Sequence, residues 1–500
     1  MNSTSRLALL DKAVIDIGSG SIRLMIFRTH ANFFQPIFNE KVTASLGKGV
    51  RQTGLLNPKG VKTAKTAITR FMHIVKARGI SDIYAVATAA VRDAKDGAAF
   101  LAMIKDSIGL SVRALDGPEE ARLSALGVIA GEPLAEGLVA DLGGSSLELA
   151  SIIKGTPRHC NSQALGPLAI ITDKGEPLSK MRERMDQVLS PALAKLKTVK
   201  PMKLFIVGGA WRSLALVHME LRGYPLRILH NYRMSISEAL SLTQLVINQS
   251  PASLAKVPGI SSKRAAILPH AALLLERLLS LVTIDEVVVS AFGLREGLLF
   301  EALPPEAAKR HPVLTSVEAM AHQNWSSPEF GRAVETWLAA VFTHLKSPFD
   351  VERTQLLYKV VCQSADIGSR LHPDHRAEIA FDLILFAPFA GISHSERAAL
   401  ALAVFHRYAG PSAPPRVTML MRLVGEDVRL WATVIGLGLR CAAAVSGRTP
   451  DLLARTQLKI VDNTIMLDAQ DEESVLLTKI PGRRLADLAN ALGLKNKFLV

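Results

Sequence analysis

Asp16-Ile-Gly-Ser-Gly-Ser-Ile-Arg-Leu24 returns in altered form as Asp141-Leu-Gly-Gly-Ser-Ser-Leu-Glu-Leu149. Each copy starts with an acid inside an apolar strand, Ala13-Val14-Ile15 in one and Leu138-Val139-Ala140 in the other. Each crosses a turn of glycines and serines and re-enters an apolar strand, Leu24 to Phe27 and Leu149 to Ile153. Glycines let backbone N–H groups converge on an anion, and serines add hydroxyl donors. One copy alone reads as well as a β-hairpin with ordinary turn residues. Two copies, with the acid at the same place in both, point to facing turns that grip a chain of phosphates. The acids would then hold a hard cation between them.

Strand and helix signals alternate outward from both copies, as expected of α/β layers. The first copy leads through a strand near Pro36 to Ala44 and a helix from Pro58 to Arg78. The strand Ile83–Ala87, a helix from Lys95 to Ile108 and the strand Val112–Leu115 complete that half. The second is followed by a helix from Leu178 to Leu196 and strands at Lys203–Val207 and Glu286–Ser290. The duplication predicts two related α/β domains facing across a cleft, residues 1–130 and 131–305. Beyond Pro304-Pro305 the pattern turns helical over 306–455, with breaks at Pro373, Pro388 and Pro411 to Pro415. A small α+β unit is expected over 456–500.

The chain has 500 residues, 49% hydrophobic content, 5% aromatics and three scattered cysteines. Cys160, Cys362 and Cys441 show no zinc spacing and read as reduced packing residues, so a cytoplasmic location is expected. No leader is visible before Leu10, and Trp431 to Val445 is short and carries Arg440, which reads as a buried helix. The net charge of +14 favours a polyanionic partner. No aromatic RNA-binding motif or recognition helix is present, so nucleic acid is not the expected one.

Four further features suit an anion site, and each has a plain structural reading beside it. Gly117-Pro-Glu-Glu-Ala-Arg122 opens a helix, where Glu119 and Glu120 complement the dipole whatever else they do. Arg92, after the strand ending at Ala87, stands where ligands meet an α/β sheet, or is a surface arginine. Gly208 and Gly209 end a strand as close backbone approach to a ligand requires. Arg295, in Ser290-Ala-Phe-Gly-Leu-Arg-Glu-Gly297, is a candidate ligand contact or a local partner of Glu296.

These segments, in this order, resemble the exopolyphosphatase / guanosine pentaphosphate phosphohydrolase family over residues 13 to 305, and its long members more loosely beyond. The resemblance implies the duplicated actin, Hsp70 and sugar-kinase fold (ribonuclease H-like) with a C-terminal helical domain related to HD phosphohydrolases. It implies Mg²⁺-dependent hydrolysis of the terminal phosphoryl group of inorganic polyphosphate, with Glu120 activating water. Asp141 and Glu148 correspond to the metal-side carboxylates. Gly18, Ser19, Ser21, Arg23, Arg92, Gly143, Gly144, Ser145, Ser146, Gly208 and Gly209 correspond to the phosphate grip. Lys263, Arg264 and Arg295 are candidates for the track of a longer chain, with Arg483, Arg484, Lys495 and Lys497 further along. A homodimer and a link to guanosine penta- and tetraphosphate in the stringent response belong to the same expectation.

Three departures from the family pattern stand out. Gly20 replaces an asparagine, Ser145 a glycine and Leu147 a threonine. They bear on substrate preference and metal affinity, while the carboxylates survive. Asp366-Ile-Gly-Ser-Arg-Leu-His-Pro-Asp-His375 lacks a His-Asp pair, so its histidines read as structural or surface residues. Guanosine pentaphosphate hydrolysis, a kinase of the same fold and a non-catalytic alarmone or polyphosphate sensor remain as alternatives.

Overall fold

The computed structural model describes residues 9–170, 176–196, 202–323, 327–414, 420–469 and 471–499, so Pro415 lies outside the described residues. The chain divides into two compact units, the first spanning Ala8–Pro312 and the second starting at Val313.

In the first unit, β1 (Leu10–Ile17), β2 (Ser21–His30), β3 (Phe33–Thr43), β4 (Ile83–Ala87) and β5 (Arg113–Ala114) form one sheet. Its order is β3-β2-β1-β4-β5. Strands β1, β2 and β3 pair antiparallel, while β1, β4 and β5 run parallel. A second sheet holds β6 (Gly137–Leu142), β7 (Leu147–Ile153), β8 (Thr156–Gln163), β9 (Lys203–Val207), β10 (Tyr232–Ser235) and β11 (Glu286–Val289). Read from β8, its order is 8-7-6-9-11, with β10 added antiparallel at the edge. The first five strands repeat the order and directions of the first sheet. This is the duplicated α/β architecture that the two sequence copies predict.

Strand β1 is apolar on both faces because both are covered. Ala13, Ile15 and Ile17 pack with Ile68 and Phe71 of the helix Pro58–Ala77 and Ile104 of Gly97–Ile108. Val14 faces the other way, toward Leu123 and Leu298. The helix Gly117–Gly131 therefore lies between the sheets. Leu123 and Ala130 meet the first, and Ala121, Ala125 and Val128 meet Val139, Ala150 and Phe205 of the second. It crosses the helix Leu294–Glu301 at a pair of glycines. A Cβ on Gly297 would lie 1.9 Å from the Leu123 carbonyl oxygen, and one on Gly127 would lie 2.1 Å from that of Gly293.

Sequence reading passes over β8, whose Thr-Pro-Arg-His-Cys-Asn-Ser-Gln lacks apolar alternation because it is an edge strand with no fully buried residue. It also passes over β10 and the last strand of the chain, both short.

The second unit is built on the helices Val351–Gln363, Arg376–Leu385, His394–Ala409 and Glu426–Ser446. The last is long and apolar enough to cross a membrane, yet 67% of its most apolar window is buried inside the protein. Trp431 is 1% exposed there, and Arg440 is tied back to the Tyr408 carbonyl. Strands Thr456–Val461, Thr464–Ala469 and Lys495–Leu499, with the helix Lys479–Leu492, complete the unit.

Candidate active site

The two glycine-rich turns are closed by the same hydrogen bond. Gly18 N–H donates to the Ser21 carbonyl at 3.0 Å, and Gly143 N–H donates to the Ser146 carbonyl at 3.0 Å. The strands they join are in matching register, which sets Asp16 opposite Arg23 and Asp141 opposite Glu148. Geometry is thus conserved between the copies while the cross-strand partner changes sign. The turns face one another, with Ser19 Oγ 3.0 Å from Ser145 Oγ.

Between them opens a cavity of about 540 Å³. It lies at the C-terminal ends of β1, β6, β9 and β11, the place where α/β sheets bind ligands. Every residue singled out for catalysis, metal or phosphate lines it except Arg92: Gly18, Ser19, Ser21, Arg23, Glu120, Asp141, Gly143 to Ser146, Glu148, Gly208 and Gly209. Lys263, Arg264 and Arg295 line it as well. Arg483, Arg484, Lys495 and Lys497 belong to the second unit.

The helix Gly117–Gly131 supplies the acid. Asp116 caps it by accepting from Glu119 N–H at 2.7 Å, and Pro118 sits in the first turn. Glu119 is turned outward to Arg113, whereas Glu120 is 5% exposed and faces the cavity. Arg92 donates from Nη1 to Glu120 Oε1 at 2.7 Å and from Nε to Asp93 at 2.8 Å. It holds the glutamate rather than lining the cavity. One turn on, Ser124 donates to Asp141 Oδ2 at 2.6 Å. Ser162, directly across from Glu148 on β8, donates to Glu148 Oε1 at 2.9 Å.

Burial pushes the Glu120 carboxyl well above the carboxylate range, and the nearby Glu148 adds to this against the pull of Arg92. Glu148 rises through burial and the charge of Asp141, and Asp141 rises through burial. This end of the cavity holds more negative charge than its own partners neutralise.

The other end is the reverse. Arg23, Lys41, Arg212, Arg264 and Arg295 converge on it. Burial lowers the pKa of Arg23 to about 10, with Arg295 lowering it further. Burial first, and then neighbouring cations, also lowers Lys41 and Arg212. Arg295 alone of the five forms an ion pair among the described residues, with Asp16 at 2.9 Å. Gly208, at φ 104°, starts the helix Gly209–Leu221, and a Cβ on it would lie 2.4 Å from the Leu142 carbonyl oxygen.

Lys41 and Arg212 escape sequence reading. Arg212 left one signal, a cation in the first turn of a helix, where the dipole disfavours it. Lys41 is the cross-strand partner of Arg23, a like-charge pairing visible only once the register is known.

The three departures from the family pattern behave differently. Nothing lies within 4 Å of a Cβ on Gly20. Leu147 is 0% exposed, packs in the second-sheet core and does not line the cavity. Ser145 reaches across the cleft to Ser19. A double-mutant cycle of Ser19→Ala and Ser145→Gly, read by urea unfolding, is expected to give a coupling of about 1 kcal/mol. A coupling of zero would show that these hydroxyls do not tie the turns together.

Comparison with known proteins follows the same division of the chain. The model of the Ppx/GppA phosphatase family matches residues 25–306, and that described as Exopolyphosphatase, C-terminal, matches residues 314–499. Exopolyphosphatase 1 of Mycobacterium tuberculosis is 26% identical over 329 residues, covering 62% of this chain and 94% of that protein. Retrograde regulation protein 2 of Saccharomyces cerevisiae is 24% identical over 444 residues, covering 79% of this chain and 72% of that protein. The crystal structure of an exopolyphosphatase from Cytophaga hutchinsonii shares the fold, with a TM-score of 0.53 and 24% identity. It covers 58% of this chain and 96% of its own. With its doubled turns, its cleft and a family match over more than half its length, the chain belongs to the Ppx/GppA phosphatase family.

Proposed function

We propose that the protein is an exopolyphosphatase that removes the terminal phosphoryl group of inorganic polyphosphate processively, with Glu120 activating water. The observation that carries this reading is the polarity of one cavity: a desolvated carboxylate at one end and converging, mostly unpaired cations at the other. A long polyanion fits that gradient, its body on Arg23, Lys41, Arg212 and Arg264 and its end toward Glu120.

The chemistry follows from the placement. Glu120, fixed by Arg92, orients a water and accepts its proton as the oxygen attacks the terminal phosphorus. The bond to the bridging oxygen breaks, its electron pair leaves with the shortened chain, and orthophosphate departs. Little covalent work falls to protein groups, so positioning and charge stabilisation do most of it.

The donor set fits Mg²⁺. Asp16 is held by Arg295, and Glu296 accepts from Gly293 N–H at 2.9 Å at the start of its own helix. Asp141 and Glu148 remain, the first with Ser124 and the second with Ser146 and Ser162, and with burial that favours a compensating cation. No group of three His, Cys, Asp or Glu side chains among the described residues is placed to hold a metal. Two carboxylates completed by water and phosphate oxygens are characteristic of Mg²⁺. Bound there, it would neutralise charge on the departing phosphate.

Orthophosphate release from long-chain polyphosphate, ATP and guanosine pentaphosphate, with Mg²⁺ and with EDTA, tests the proposal. Polyphosphate is expected to be consumed fastest, without a ladder of intermediate lengths, and EDTA to stop it. Release from guanosine pentaphosphate alone would move the substrate to the nucleotide, and release from none would leave a binding protein. Glu148→Gln and Asp141→Asn should each raise the Mg²⁺ concentration for half-maximal rate about tenfold or more. An unchanged titration in both would remove the metal role.

A further inference from the structure

Strand β8 carries one residue more than β7 between the cross-strand pairs Ser151–Arg158 and Leu149–Asn161. The extra residue makes a bulge, within which His159 adopts φ 50°. That left-handed backbone costs a non-glycine residue about 1 kcal/mol, and such strain persists where surrounding structure enforces it. Bulges are over-represented beside active sites, where they re-aim a side chain. Counted back from Arg158 without the bulge, Asn161 would stand opposite Glu148. With it, Ser162 does.

Glu148 shares a face of β7 with Ala150 and Ile152, which pack in an apolar layer with Ala121 and Ala125 of the helix Gly117–Gly131. A carboxylate 5% exposed at the end of such a layer needs donors there. Ser162 Oγ donates to Oε1 at 2.9 Å, and Ser146 gives a second hydrogen bond. Oε2 lies beside the second glycine-rich turn, 3.7 Å from where a Cβ on Gly143 would stand. Gly117, the first residue of the helix, leaves the room that Ser162 fills: a Cβ there would lie 2.5 Å from Ser162 Cβ. Ser162 is therefore wedged between Glu148 and the start of the helix that carries Glu120. Ser124, about two turns further along that helix, holds Asp141 Oδ2 in the same manner at 2.6 Å.

We propose that Ser162 is a positioning residue for metal binding, which sets the plane of the Glu148 carboxylate and ties it to the helix bearing Glu120. The inference rests on the reading that Asp141 and Glu148 hold Mg²⁺. With Oε1 fixed by Ser162, Oε2 is the oxygen presented toward the turn that grips phosphate. Hydrogen-bond partners of metal ligands orient them, and losing one commonly costs about 10- to 100-fold in metal affinity. The same two strands supply a contrast. Ser151, 2% exposed on β7, donates to the Arg158 carbonyl at 3.1 Å and has no carboxylate partner among the described residues. It closes the strand pair without touching the site.

The test is a pair of Mg²⁺ titrations on the full chain, one of Tm in the presence of orthophosphate and one of the rate of polyphosphate hydrolysis. Ser162→Ala should raise the half-saturating Mg²⁺ about tenfold in both, with kcat at saturating Mg²⁺ within a few-fold of wild type. Ser162→Cys keeps the size with a weaker donor and should fall between the two. That variant keeps the proposal open to refutation should Ser162→Ala fail to fold. Ser151→Ala should lower the metal-free Tm and leave both half-saturation points where they are. In a Glu148→Gln background, Ser162→Ala should add no further shift. A normal half-saturation point in Ser162→Ala and Ser162→Cys, beside a shifted one in Glu148→Gln, would overturn the role of Ser162 and leave the metal reading standing. No shift in Glu148→Gln would overturn both. Equal shifts in Ser151→Ala and Ser162→Ala would reduce Ser162 to a strand contact and overturn the assignment.

Discussion

Glu120→Gln is expected to lower polyphosphate turnover by about 10²- to 10⁴-fold while affinity for the chain stays within a few-fold. Glutamine keeps the size of the side chain and an oxygen for Arg92, 2.7 Å away, but cannot accept a proton. Glu119→Gln should leave turnover nearly unchanged, because Glu119 is spent on Arg113 outside the cavity. Near-normal turnover in Glu120→Gln would remove the base from the mechanism. The pH dependence has a definite sign. A base must be ionised, and burial with Glu148 raises the Glu120 pKa, so the rate should climb as pH rises above the usual carboxylate range. Stability should move the opposite way. Glu120, Asp141 and Glu148 all titrate higher folded than unfolded, so between the two values the folded state holds more protons. Stability of the metal-free protein then falls as pH rises through that window. Added Mg²⁺ should restore it, as read by Tm at several pH values.

Gly297→Ala should destabilise the first unit by about 3 kcal/mol or more, at the upper end of overpacking effects. The added Cβ would stand 1.9 Å from the Leu123 carbonyl oxygen and 3.1 Å from Gly127 N, against backbone that has no rotamer to yield. The helix displaced is the one carrying Glu120, so the folded fraction should also lose activity. Denaturant unfolding and specific activity per folded molecule check both parts. A midpoint within a few tenths of a kcal/mol of wild type would show that the helices part easily.

The cleft was legible in the sequence because duplication is: Asp16 and Asp141 recur with the same glycines and serines, and a repeated turn implies a repeated fold. Strands β1, β4, β6 and β9 were legible because burial on both faces makes them continuous apolar runs. β8 was not, since an edge strand with no fully buried residue needs no alternation, and its contribution to the site, Ser162, became visible only through its pairing with Glu148. The choice of Glu120 over Glu119 came from family likeness in the sequence and from orientation in the structure. Arg92 illustrates the limit. Its position after β4 suggested a ligand contact, whereas the distances make it the partner of Glu120.

The matching turns differ in the charge set opposite the acid, arginine in one copy and glutamate in the other. A homopolymer has no direction of its own, since its two ends are chemically identical. A cleft built from two equal halves would share that indifference and admit the chain either way round. Divergence at one cross-strand position breaks the two-fold symmetry left by duplication, and supplies from the protein side the polarity that the polymer lacks.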